Sequence, residues 1–243
     1  MADSYILTIE GGSERMTAEA RARLLAWRER AADLARERKA SVYLNGPKVG
    51  KVALTFDDGP DERVTPAIAE TLSRYGVTGS FFFVGSKMEL FPDVVKAVHA
   101  AGHLVFGHSY DHDRLTQLDA ASLERNFRRT QAKIADLIGK EPAMYRPPFG
   151  DCDGAVVDAA RQAGCTTILW SLDTLDWSQK EADHIRRNVE TFARNGEIVL
   201  MHSSPGCTET AAALPGMIEW LQRKRLRPVG LDELLGIPAY REP

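Results

Sequence analysis

Between residues 51 and 229, short and almost continuously apolar runs recur at intervals that leave room for a helix between each pair. They fall at 51–56 (KVALTF), 78–84 (TGSFFFV), 103–106, 143–146, 166–170 (TTILW), 197–201 (EIVLM) and 226–229. Their β-branched and aromatic content, with little polar alternation, predicts strands buried on both faces. Helical patterns lie between the runs, and Gly76, Gly102, Gly139, Gly164 and Gly196 stand where the first five helices should stop. Seven such βα units predict an α/β chain whose parallel sheet is covered by helices, with a closed or nearly closed barrel as the economical form.

Residues 1–46 depart from this pattern. From Thr17 to Lys39 the chain reads as a charged helix in which Leu24, Trp27, Ala31 and Leu34 recur three or four apart and make one narrow apolar stripe. The stripe predicts a helix that braces the outside of the barrel, with a partner-binding or wall-binding helix as the alternative. Residues 1–44 are expected to form an N-terminal extension ahead of the barrel domain, residues 45–243.

Composition narrows the function classes. Apolar residues make up 44% and charged residues 27% of 243, which excludes disordered and collagen-like chains. Thirty-one basic against 34 acidic side chains give a formal net charge of −3, without the positive field a nucleic-acid or anionic-membrane binder needs. No apolar run reaches the length of a membrane span. The start of the chain lacks the pattern of a secretory signal, so the expectation is either a cytoplasmic protein or one whose targeting segment has been removed. Cys152, Cys165 and Cys207 form no C-x-x-C pair and are odd in number, which suggests neither a disulfide framework nor a cysteine zinc site.

The chemistry-bearing residues cluster just after the predicted strands. Asp57 and Asp58 follow the first, His108 and His112 the third, Arg146 ends the fourth, Asp173 and Asp176 follow the fifth, and His202 follows the sixth. In a parallel barrel these strand ends converge on one face, where such folds place their active sites. The four-residue spacing of His108 and His112 brings two imidazoles to one side of a tight loop or helical turn, and a carboxylate such as Asp58 completes a trio suited to zinc with a position left open for water. Two adjacent aspartates at a buried strand end repel each other unless a cation is near, so a metal and the Arg146 guanidinium are the natural compensation.

Read in order, TFDDGP at 55–60, HSYDH at 108–112, RPPFG at 146–150, DTLDW at 173–177 and LMH at 200–202 resemble the five motifs of the polysaccharide deacetylases with the NodB homology domain, carbohydrate esterase family 4. The resemblance covers about residues 45–235. It implies a distorted (β/α) barrel of about seven units. The implied activity is metal-dependent hydrolysis of N-acetyl groups on N-acetylglucosamine polymers, of the peptidoglycan or chitin type, and a secreted or cell-wall-associated setting. By the same resemblance, Asp58, His108 and His112 hold Zn2+ or another divalent ion such as Co2+. Asp57 is the general base with Arg146 as its partner, and His202 is the general acid oriented by Asp176. Leu200 and Trp177 line the acetyl-methyl pocket, and the backbone N–H of Phe149 completes the oxyanion site. Phe149 stands where a tyrosine is common, Ser203 where many relatives carry an acid, and the Asp151-Cys152-Asp153 segment is unusual. These departures bear on subsite shape more than on the reaction. An O-acetyl esterase on acetylxylan or another glycan, a catalytically inactive carbohydrate binder, and a hydrolase of a small non-sugar amide are the competing readings.

Overall fold

The protein is described by a computed structural model covering residues 5–241. After the N-terminal strap come α1 (Ala18–Glu37), β1 (Val42–Tyr43), β2 (Lys51–Asp57), α2 (Val64–Arg74), β3 (Ser80–Phe83), α3 (Gly85–Leu90), α4 (Pro92–Ala100) and β4 (Leu104–Gly107). The chain continues through α5 (Ala120–Ile138), β5 (Glu141–Pro142), β6 (Met144–Tyr145), α6 (Gly154–Gln162), β7 (Thr166–Ile168), β8 (Leu172–Asp173), α7 (Asp176–Gln179) and α8 (Ala182–Phe192). It ends with β9 (Ile198–His202), α9 (Thr208–Arg223), β10 (Arg227–Val229), α10 (Leu231–Leu235) and β11 (Tyr240–Arg241).

All seven expected strands are present, and the main sheet is parallel in the order β1-β7-β6-β4-β3-β2-β9-β8. The run from 166 to 173 curls the sheet into a distorted barrel, because its first half pairs with β6 and its last two residues pair with β9. β10 takes the lower half of β2 through Arg227–Val229, while β3 takes the upper half through Thr55–Asp57. The five glycines expected to stop helices all have positive φ, from +64° to +87°.

Period-two alternation, hidden in the apolar runs, sorts side chains between two cores. Val52, Leu54 and Phe56 of β2 join Val199 and Met201 of β9 in the cluster packed beneath α2, α4, α8 and α9. Their neighbours Ala53, Ile198 and Leu200 belong to a second cluster with Phe82, Phe106 and Ile168, which fills the barrel. Asp57 therefore shares its strand face with Ala53 and Thr55, and His202 shares its face with Ile198 and Leu200. The same alternation that builds the core aims both ionisable residues inward.

The second cluster also contains Ile9, Ala31, Ala35, Val42 and Leu44, so residues before 45 share a core with the barrel strands. Glu10 bridges to Leu172, with Glu10 N–H donating to the Ser171 carbonyl at 2.8 Å and Asp173 N–H to the Glu10 carbonyl at 3.0 Å. Gly11, at φ +111°, permits this approach: a Cβ there would lie 1.9 Å from the Asp173 carbonyl oxygen. Thr17 caps α1 by accepting from Ala20 N–H at 3.2 Å. Ile9→Ala should lower the unfolding free energy by about 2–4 kcal/mol, the usual cost of truncating a buried isoleucine. Leu25→Ala, at a side chain half-exposed on α1, should change it by less than about 0.5 kcal/mol. Urea unfolding of the two variants checks this, and equal, small effects would show that the strap adds nothing to the core.

Candidate active site

Asp57 is the last residue of β2, and Asp58 turns the chain out of the strand at φ +68°. Ser109 at +63°, His112 at +60°, Phe149 at +62° and Leu175 at +58° adopt the same left-handed conformation. Such a conformation costs about 1–2 kcal/mol for a residue other than glycine, so these positions are held by their surroundings. Lys87 Nζ donates to the Asp58 carbonyl at 2.7 Å. Asn126 Nδ2 donates to Ser109 Oγ at 3.1 Å and to Asp113 Oδ2 at 2.9 Å, tying the 108–113 loop to α5.

Asp58, His108 and His112 come together with their ligating atoms within 4.8 Å of one another. Asp58 Oδ1 lies 2.9 Å from His112 Nε2 and 3.4 Å from His108 Nε2, yet it is buried without an aligned hydrogen-bond donor. Three ligand atoms facing one another without hydrogen bonds fit a shared cation better than a polar network. His108 Nδ1–H donates to the Arg146 carbonyl at 2.8 Å. That bond fixes the tautomer and leaves Nε2 with its lone pair toward Asp58. Burial acts to raise the Asp58 pKa, but His108 and His112 beside it outweigh that and hold the carboxyl well below the usual range.

Behind this trio Arg146 is fully buried. Its Nη1 donates to Asp57 Oδ1 and to Thr55 Oγ1, each at 2.8 Å, Nη2 to the Leu169 carbonyl at 3.0 Å and Nε to the Ile168 carbonyl at 3.2 Å. Burial pulls the guanidinium pKa down, while Asp57 works against that pull. Asp176, at the start of α7, is buried and holds His202. His202 Nδ1–H donates to Asp176 Oδ1 and the His202 backbone N–H to Oδ2, both at 2.7 Å, and Thr210 Oγ donates to Oδ2 at 2.6 Å. Burial alone would lower the His202 pKa, but Asp176, with Asp58 and Asp57 further off, outweighs it and raises the imidazole to about 10.

A cavity of about 330 Å³ joins these groups, lined by Asp57, Asp58, His108, His112, Phe149, Asp173, Trp177, Leu200 and His202 together with Leu24, Trp27 and Trp170. Arg146 and Asp176 sit behind the wall rather than on it. Leu200 is buried, whereas the rings of Phe149 and Trp177 are half-exposed at the mouth. Phe149 is packed edge-on to His112, with Arg114 over its ring at 4.3 Å. Burial pushes the Asp173 carboxyl up to about 6.

Several participants carried no signal in the sequence. Lys87 and Thr210 are ordinary helix residues that act only through the folded geometry. Leu24 and Trp27 were expected to brace the barrel from outside, but the N-terminal half of α1 reaches the cavity instead. The residues that depart from the familiar motifs have structural work: Asp153 caps α6 through Val156 N–H at 3.0 Å, Asp151 accepts from Thr116 Oγ at 2.8 Å, and Ser203 N–H donates to the Asp57 carbonyl at 2.8 Å. Burial disfavours the thiolate forms, pushing Cys152 up to about 12 and Cys165 up to about 11.

Comparison with known proteins agrees with this geometry. Residues 45–168 match the profile of the polysaccharide deacetylase family. The chain is 37% identical over 186 residues to the peptidoglycan-N-acetylglucosamine deacetylase PgdA of Listeria monocytogenes, covering 76% of this chain but 39% of that longer protein. A peptidoglycan-N-acetylglucosamine deacetylase of Bacillus cereus is 33% identical over 207 residues, covering 84% of this chain and 75% of the relative. Among solved structures, the Bc1960 peptidoglycan N-acetylglucosamine deacetylase superposes with a TM-score of 0.82 at 31% identity, covering 85% of this chain and 98% of the other. With its distorted parallel barrel and its Asp-His-His cluster at the carboxyl ends of the strands, the chain belongs to the polysaccharide deacetylase family, carbohydrate esterase family 4, with a NodB-type domain.

Proposed function

We propose that the protein hydrolyses the N-acetyl group of N-acetylglucosamine units in a glycan, of the peptidoglycan type named for its relatives. The observation that carries this reading is one cavity in which an Asp-His-His cluster meets a buried Asp57–Arg146 pair and a His202–Asp176 pair. Fold resemblance alone would not support an activity.

Asp58, His108 and His112 would hold a divalent ion, zinc by the chemistry of two imidazoles and a carboxylate. When bound, such an ion polarises a carbonyl and acidifies water. Asp57 takes the proton of the attacking water, and Arg146 fixes the orientation of its carboxylate through Oδ1. The Phe149 N–H, which donates to no other described residue, faces the developing oxyanion from the left-handed turn. Leu200 and Trp177 enclose the acetyl methyl. His202 is protonated at neutral pH and gives its Nε2 proton to the departing nitrogen, while Asp176 stabilises the charged ring through Nδ1. Amide cleavage needs this acid because an unprotonated amine anion is a poor leaving group. An O-acetyl ester needs it less, since an alkoxide leaves more readily, so the strength of the His202–Asp176 pairing favours the amide reading. Loss of single acetyl groups from N-acetylated chito-oligosaccharides or peptidoglycan fragments, followed by mass spectrometry beside acetylxylan, tests the proposal. Release from acetylxylan alone would replace it.

Two expectations separate the roles. Asp57→Asn should retain its metal by elemental analysis while turnover falls by about 10²–10⁴-fold, the range for a lost general base. Asp58→Asn should lose metal affinity and recover part of its rate in excess metal. The reverse pattern would exchange the two roles.

A further expectation concerns pH. His202 acts in its protonated form, so activity should fall as pH rises through its raised pKa. Asp176→Asn removes the main raising influence, and the alkaline limb of the rate profile should move to lower pH, toward the ordinary imidazole value of about 6.5. An alkaline limb that stays in place would assign it to another group.

A further inference from the structure

Helix α1 lies outside the matched family profile, which begins at residue 45, yet it stands over the catalytic cavity. Its start is tied to the strap by Arg21, whose guanidinium donates to the Ser13 carbonyl at 3.3 Å, and its end to α6 by the Arg38–Asp158 pair at 3.3 Å. Between these anchors Trp27 stacks on Trp170 with ring centroids 4.7 Å apart and donates from Nε1 to the Gly150 carbonyl at 3.0 Å. Gly150, at φ +62°, makes this seating feasible: a Cβ there would lie 2.6 Å from a Trp27 ring atom and 2.7 Å from Trp170. The helix is thus locked to the loop that carries Phe149.

One turn earlier, Leu24 lines the same cavity as the metal trio. It is half-buried and belongs to none of the apolar clusters of the core. A leucine held over a catalytic cavity, with no core to join, presents apolar surface to whatever enters. In the same cavity Phe149 and Trp177 offer half-exposed rings. A pyranose has one face made largely of C–H groups, and such faces seat on apolar and aromatic side chains. The cavity, about 330 Å³, is at the small end of the range for small-molecule sites, roughly 300–1,000 Å³.

We propose that Leu24 and Trp27 of α1 form a specificity wall that contacts the N-acetylhexosamine ring beside Asp58, His108 and His112. This rests on the deacetylase reading for its substrate class. The wall touches the sugar and leaves the acetyl pocket alone, so it governs how well a glycan binds and leaves the chemistry of a bound one unchanged.

The test compares Leu24→Ala, Leu24→Met and the neighbouring Leu25→Ala, each confirmed folded by thermal unfolding, on tetra-N-acetylchitotetraose. Leu24→Ala should raise KM about tenfold, the scale of a lost apolar contact in a binding pocket, with kcat within about twofold, as expected for a loss of uniform binding. Product inhibition by acetate, which needs only the metal site and the methyl pocket, should stay within the same twofold range. Leu24→Met should restore most of the affinity, and Leu25→Ala should match the parent. An unchanged KM in Leu24→Ala overturns the wall. So does a KM that rises together with weaker acetate inhibition, which would mean that α1 only shapes the metal site. Calorimetric binding of the same tetrasaccharide to Asp57→Asn, with and without Leu24→Ala, separates this from the hydrolase reading. If the parent releases no acetate, the proposed activity fails, while affinity weakened by Leu24→Ala still supports the wall. Equal affinity, or no binding to either protein, overturns it.

Discussion

The guanidinium of Arg146 is buried where it cannot reach water, and the active face is arranged around satisfying it. Stranding such a charge would cost several kcal/mol, so its donors must find acceptors. Four hydrogen bonds supply them, from Asp57 and Thr55 on β2 and from the carbonyls of Ile168 and Leu169. Those acceptors lie on opposite sides of the barrel, so the curl that brings 166–173 round to β9 also completes the shell of the arginine. The Phe82 ring, 4.2 Å from the guanidinium carbon, closes one face. The backbone carbonyl of Arg146 orients His108. One residue therefore sets both the carboxylate proposed as base and one of the proposed metal ligands, and neither can shift without disturbing the other.

Local strain is concentrated at the same face. Asp58, Ser109, His112, Phe149 and Leu175 all adopt the left-handed conformation, and each belongs to a segment that follows a strand. Lys87 holds the Asp58 turn, and Asn126 and Asp113 hold the Ser109 turn, all from outside the cavity. Under the proposed function, such support would keep the candidate ligand and donor atoms aimed at one point before substrate arrives, leaving little reorganisation for the reaction itself. The two acid-base pairs differ in a useful way. In the proposed mechanism Arg146 positions a carboxylate that accepts a proton, whereas Asp176 stabilises an imidazole that carries one.

The N-terminal strap and α1 show how a common barrel acquires an individual pocket. Ile9 and Ala31 anchor the segment in the barrel core, and Gly11 lets it approach β8 closely. Trp27 then packs against Trp170 of the strand run, so part of the cavity wall comes from outside the segment that carries the motifs.

The sequence by itself determined the seven strands, their parallel arrangement and the grouping of Asp57, Asp58, His108, His112, Arg146, Asp176 and His202 at one end. Both follow from local physics: apolar runs of strand length, glycines where helices must stop, and the rule that parallel strand ends converge. Tertiary structure alone decided which side of each strand faces inward, because an uninterrupted apolar run hides its alternation until two cores exist to divide it. It decided that the run from 166 to 173 serves two neighbours, which no local pattern encodes. It recruited Lys87 and Thr210, whose partners are 29 and 34 residues away, and it turned Leu24 and Trp27 from an expected outer stripe into part of the cavity wall. A helical stripe reports that one face is apolar. What that face meets depends on where the rest of the chain leaves an unfilled surface.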